Sequence, residues 1–356
     1  MAIAAAQHAS GSSIGYRPWL DVVRALAIGI VLAGHADIPG MASSGAVGVA
    51  IFFVLSGYLI TTLLLIEHGK HGTINLRGFY WRRGLRLLPA VFTMLLVVIV
   101  LSILHNRLGS GLRSAAFVAG YVGNWVLALG GSLFRTSHTW SLAIEEQFYL
   151  IWPVALLIGL RFGSRSVIAV LLVGAALSLA FRQSSGWHLA YYSTPARAFD
   201  LMVGAGLAFF RPVRTSSWIL LPAVGALALA VLMTDIGRGT TWGSLFADLA
   251  GLGFVAWAAT RTAAPSAVRP FVWLGTISYG VYLWNSVILQ EMGALGLPSG
   301  PLRGTLLVVL TLLVAAASYR WIETPFLKMK SRTRTAEPAR DAAPEAAPAR
   351  VGSAGL

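Results

Sequence analysis

Apolar runs of about 17 to 25 residues recur along the chain between short polar breaks, the length at which a helix crosses the hydrocarbon core of a bilayer. Ten such runs are predicted, at residues 18–36, 46–66, 87–105, 141–160, 166–182, 196–211, 217–233, 241–260, 272–290 and 302–324. A further stretch, 112–130, is short and glycine-rich and reads as a re-entrant or interfacial piece. The pattern predicts an all-α polytopic transmembrane bundle of about ten spans. Residues 1–15 read as a disordered N-terminal segment and 16–327 as one membrane domain. Residues 328–356, rich in Ala, Pro and Arg without periodicity, read as a disordered basic cytoplasmic tail.

Composition agrees with the pattern. Apolar residues make up 56% of the chain and charged residues only 11%, with a mean hydropathy of +0.73. The formal charge of +14 does not indicate nucleic acid, because Lys and Arg occur singly or in small groups between apolar runs, as topology signals do. With ten spans and an inside N-terminus, eighteen Lys and Arg fall on inner segments and seven outside (Arg107, Arg113, Arg135, Arg182, Arg197, Arg238 and Arg303). Both termini are therefore expected in the cytoplasm of a multi-pass protein of a bacterial inner membrane. A true span at 112–130 would reverse the later basic loops. The chain has no cysteine, which excludes disulfides, iron–sulfur clusters and thiol catalysis. No removable signal peptide and no internal repeat are expected.

The chemistry starts from WLDVVRALAIGIVLAGH, Trp19 to His35. It carries Asp21, Arg24 and His35 although an ionisable group in a span costs roughly 2.5 to 3.5 kcal/mol to insert. Eleven residues at about 100° each return His35 to the face of Arg24, about 16 Å along the axis. The expected topology places His35 and Asp37 on the same side as Glu145, where a carboxylate would orient the imidazole as a general base. The competing reading is a helix-end cap at the headgroups. In HTWSLAIEEQFYLIWP, Ser141 and Glu145 share one helical face, and Glu146 enters the same span. Ser141 also suits an N-cap. In NLRGFYWRRGLRLLP, Asn75 to Pro89, Arg77, Arg82, Arg83 and Arg86 alternate with aromatic residues. This suits a loop at the inner surface that binds the phosphates of an anionic donor, or else lipid headgroups. Arg197 with Asp200, and Arg320 with Glu323, read as structural pairs. Ser278, Tyr279, Tyr282, Trp284 and Asn285 give one span a polar aromatic face. Ser56 lies outside a G-x-S-x-G context, which argues against a serine hydrolase and leaves it a supporting polar group. No metal-ligand spacing, P-loop or dinucleotide fingerprint occurs.

Together the Arg24 to His35 pair, FFVLSGYLI at 52–60, FYWRRGLRLLP at 79–89, TWSLAIEEQFYLIWP at 139–153, LGTISYGVYLW at 274–284 and WIETP at 321–325 resemble the acyltransferase-3 family of integral membrane acyltransferases. The resemblance covers residues 16–327. It implies transfer of an acetyl or short acyl group from acetyl-CoA or another acyl-CoA, a substrate and not a bound cofactor, to a hydroxyl-bearing acceptor. It places His35 at the catalytic histidine and Arg24 at its paired arginine. Ser141 and Glu145 match an S-x-x-x-E motif, and Arg83 with Arg86 matches an R-x-x-R motif linked to donor handling, with Arg82 beside it. Relatives often carry His where this chain has Asn285. The extra C-terminal hydrolase-like domain of some relatives is not expected here. The acceptor expected is a surface glycan, with a secondary metabolite such as a macrolide as the alternative. The rival from another class is a transporter or flippase, since intramembrane Arg, His and Glu also mark substrate paths.

Overall fold

The computed structural model describes residues 15–210, 215–235 and 242–335. The expectations for the first fourteen residues, for Arg211, Arg214 and Arg238, and for the tail beyond Thr335 lie outside the described residues. Every element among the described residues is helical.

Helix α1 (Pro18–His35) opens on Pro18, whose fixed φ suits a first turn and whose missing N–H is not needed there. Helix α2 (Gly45–His71) ends on Gly72 in the left-handed conformation, φ 67°. Helix α3 (Leu76–Leu104) is capped by Asn75, whose side-chain oxygen accepts from the Gly78 N–H at 2.7 Å. The predicted loop Asn75–Pro89 is therefore mostly helix, and this span starts at Leu76, not at 87. The apolar run stops at the first arginine but the helix does not, because Phe79, between the cations, and Leu87, next to Arg86, are buried. Helices α4 (Leu108–Ala119) and α5 (Gly123–Ala128) occupy 112–130 and are too short to span.

The chain continues through α6 (Trp140–Arg161), α7 (Ser164–Ser184), α8 (Trp187–Tyr192), α9 (Thr194–Leu207), α10 (Leu220–Asp235), α11 (Ser244–Ala258), α12 (Arg269–Ala294) and α13 (Pro301–Ser318). A π-helical turn, Tyr319–Glu323, leads into α14 (Thr324–Thr335), so the chain stays helical past residue 328, where the sequence suggests a disordered tail. Among the described residues eight segments are long and apolar enough to cross a membrane: Pro18–His35, Gly45–His71, Leu76–Leu104, Ser137–Arg161, Ser164–Ser184, Ser217–Thr234, Ser266–Ala294 and Pro301–Met329. The other two predicted spans, 196–211 and 241–260, are α9 and α11, with 14 and 15 residues. Both pack against α2 inside the bundle. The protein is a multi-pass membrane protein. Phe92, Leu96 and Val100 of α3 and Val170, Val173 and Leu177 of α7 form the exposed apolar surface that a bilayer covers.

Close backbone contact holds the centre. Gly57 of α2 and Gly204 of α9 face each other across one crossing, and a Cβ on either would run into the backbone of Leu201 or Val54. Gly275 of α12 meets the backbone of Asp21 in the same way, which brings α12 against α1. Two charges expected in outer loops are core residues. Arg182 and Arg197 are each 1% exposed. Arg182 pairs with Asp200 and lies 3.9 Å from Asp248, while Arg197 lies 3.3 Å from Asp200. The expected Arg197–Asp200 pair is thus half of a four-residue cluster that ties α7, α9 and α11 together.

Candidate active site

Helices α1, α2, α3, α6 and α12 enclose a cavity of about 190 Å³. Arg24 and Arg86 line it, as do Ser56, Ser141, Glu145 and Tyr282. Since α1 and α12 make contact both at Asp21–Gly275 and at His35–Asn285, they run in parallel toward the His35 end.

At the Arg24 end, Arg24 donates to Asp21 one turn earlier. Among the described residues Arg86 takes part in no hydrogen bond or ion pair, although it lines the cavity. Glu323 is buried within electrostatic reach of Arg86. The expected Arg320–Glu323 pair does not form. A π turn advances less than 90° per residue, so three residues no longer return to one face, and Arg320 stays exposed while Glu323 turns inward.

In the middle, Glu145 Oε1 receives the Ser56 hydroxyl and, at 3.2 Å, the Tyr149 hydroxyl. Its neighbour Glu146 faces the other way. Arg83 Nε donates to both Glu146 oxygens, Oε1 at 2.9 Å and Oε2 at 3.2 Å, and its Nη2 donates to Oε1 at 2.6 Å. The Arg83 guanidinium also lies 3.3 Å over the Tyr149 ring.

Toward the far end, the Tyr282 hydroxyl donates to the His138 carbonyl and sits 2.6 Å from Ser141 Oγ. With the tyrosine hydrogen committed, Ser141 is the donor in that pair. His35 stands just beyond this layer and is not part of the cavity wall. Its Nδ1 lies 2.6 Å from Asn285 Oδ1. His138 is close by, with Nε2 3.1 Å from the Leu283 carbonyl. Among the described residues no group of three or more His, Asp or Glu is placed to hold a metal ion.

Residues 17–320 match a family model described as an acyltransferase domain. The chain belongs to the acyltransferase-3 family. The peptidoglycan O-acetyltransferase OatA of Listeria monocytogenes is 35% identical over 352 residues, covering 88% of this chain and 56% of that protein. The putative peptidoglycan O-acetyltransferase YrhL of Bacillus subtilis is 33% identical, covering 87% and 55%. The O-acetyltransferase OatA of Staphylococcus aureus is 31% identical, covering 88% and 57%. The chain thus spans little more than half the length of these relatives. No solved structure matches it.

Within this acyltransferase-3 chain, Arg24, Arg86, Ser56, Ser141 and Glu145 share one cavity, with Arg83 in its wall. Ser141 and Glu145 lie on one face, as their spacing predicts, but bond to different partners. Besides His35 and Glu146, two more of the predicted site residues lie outside this cavity. Arg82 reaches toward Glu67, 3.5 Å away, which also accepts from the Asn75 N–H and so closes the α2–α3 turn. Asp37 does not meet His35. It has φ 55°, turns away from the helix axis and takes both Arg303 nitrogens at 2.6 and 2.8 Å and the Gly300 N–H at 3.1 Å. Arg303 and that N–H hold the Asp37 carboxyl below the usual carboxylate range. The sequence pattern does not single out Asn285 as the partner of His35, because an amide inside a span carries no charge to flag it.

Proposed function

We propose that this chain is a membrane O-acetyltransferase that moves an acetyl or short acyl group from acyl-CoA to a hydroxyl of a cell-envelope glycan. The observation that carries this reading is the order of groups around the cavity: two guanidinium groups at one end, hydroxyls in the middle, and an imidazole about 16 Å along α1 from Arg24, just beyond the other end. The family match and the names of the three relatives support the reaction class, and the peptidoglycan in two of those names supports the glycan.

In this reading the donor's phosphates meet Arg86 and Arg24. Arg83 is already spanned by Glu146 and serves to hold the wall. Glu145 keeps its second oxygen for an amide N–H of the donor's pantetheine arm. His35 takes the proton of the acceptor hydroxyl. The ten-span arrangement, with both ends in the cytoplasm of a bacterial inner membrane, belongs to the same reading. It gains support from the burial of Arg182 and Arg197, which removes two charges from the outer side of the asymmetry.

The test is reconstitution of the full chain in liposomes with radiolabelled acetyl-CoA and an envelope glycan. Alkali-labile label on the glycan is expected. His35→Ala should abolish it while the protein still folds and inserts. Transport of the glycan without ester formation would overturn the reading in favour of a transporter.

A further inference from the structure

Asn285 is 1% exposed and sits in the middle of α12. Its amide nitrogen bonds back to its own helix, to the Val281 carbonyl at 2.9 Å and the Tyr282 carbonyl at 2.8 Å. Both amide hydrogens are used there, so the atom 2.6 Å from His35 Nδ1 is an oxygen, which can only accept. Nδ1 must therefore carry a hydrogen. A neutral imidazole has one N–H, which leaves Nε2 with its lone pair free.

Among the described residues no carboxylate competes for this role. Asp37 is held by Arg303, Glu145 receives Ser56 and Tyr149, and Glu291 pairs with Arg135 and His105. A neutral amide orients the ring without adding a buried charge.

We propose that Asn285 is the positioning residue of the transfer reaction, holding His35 as the Nδ1–H tautomer with Nε2 as the working nitrogen. Only the use made of Nε2 rests on the acyl-transfer reading. Nε2 takes the proton of the acceptor hydroxyl as its oxygen bonds to the thioester carbonyl carbon. The C–S bond then breaks, and the departing thiolate recovers that proton from Nε2–H. The ester and the free thiol are the products, and His35 returns to its starting tautomer.

The experiment compares Asn285→Leu with Asn285→Asp in the reconstituted full chain. Leu fills the site without an acceptor and should lower turnover on the order of 10²-fold, with KM for acetyl-CoA and glycan unchanged. Asp keeps an oxygen facing Nδ1 and should recover most of the rate. Turnover of the Leu variant equal to that of the parent overturns the proposal, as does an Asp variant no better than Leu. A second measurement needs no variant of Asn285 and no turnover. Nitrogen-15 NMR of histidine-labelled protein, assigned by difference from His35→Gln, should show His35 protonated at Nδ1 and bare at Nε2. The opposite tautomer overturns the proposal. Absence of any acetyl transfer, by contrast, overturns the acyl-transfer reading and leaves the tautomer to the NMR.

Discussion

Arg83 and Glu146 are joined in a bidentate ion pair roofed by the Tyr149 ring, and both side chains are about 15% exposed. The first arginine of the R-x-x-R motif therefore has its partner inside the protein. Removing one member of such a pair strands the other charge, a loss typically of about 3–5 kcal/mol. Glu146→Ala should lower the thermal midpoint in detergent by many degrees. Arg83→Lys should also destabilise, because a single ammonium centre reproduces neither the planar fork to the carboxylate nor the stacking on the Tyr149 ring. Replacing both residues with Met and Leu should recover most of the loss, and an unchanged midpoint in Glu146→Ala would refute the structural role.

Arg86 contrasts with Arg83, since it lines the cavity without a hydrogen bond or ion pair among the described residues. Its removal should destabilise less than Glu146→Ala does, because buried Glu323 lies within electrostatic reach of Arg86 without an ion pair to it. On the proposed reading, Arg86→Ala should raise KM for acetyl-CoA by roughly 10- to 100-fold through the loss of one phosphate contact. Arg82→Ala should leave that KM unchanged, since Arg82 closes the α2–α3 turn. Donor titrations of the two variants side by side decide this, and equal effects would count against it.

The Gly57–Gly204 crossing sets how closely α9 approaches α2. Gly57→Ala and Gly204→Ala should each cost about 1–3 kcal/mol or more, because backbone and not a flexible side chain blocks the new methyl group. Gly29→Ala and Gly206→Ala are the controls. Both are helical and have open space around the added carbon, so each should be neutral or slightly stabilising. Thermal melts of the four variants test the prediction, and equal behaviour would refute it.

What the sequence makes legible follows from these contacts. Long apolar runs announce the spanning helices because a bilayer demands both length and apolarity. Helices α9 and α11 read as spans because most of what they bury is apolar, although Arg197, Asp200 and Asp248 carry charge into the same packing. The start of α3 is hidden because Arg83 and Arg86 point into the protein, where a charge reads as a loop. His35 and Glu145 stand out by their cost of insertion. Asn285 carries no such cost, and its role appears only when α12 lies against α1. Asp37 illustrates the converse, since two residues of separation from His35 suggest a pair, but the helix ends between them and the turn sends the carboxylate to α13.

The Asp37–Arg303 pair gives the protein an acid limit. Arg303 and the Gly300 N–H lower the folded-state pKa of Asp37 relative to an unfolded chain, near 3.9. A group with a depressed folded pKa contributes stability that is fully present above the unfolded value and is lost as pH falls through the folded one. This contribution should be constant from about pH 5 to 8 and decline only below about pH 4. Asp37→Asn removes the charge yet keeps a residue that tolerates φ 55°. The variant should melt lower than the parent at neutral pH, and the difference should shrink as the pH falls below about 4. Thermal midpoints of both proteins across that range provide the check. A gap that widens in acid would show that the pair does not hold the α1–α2 turn to α13.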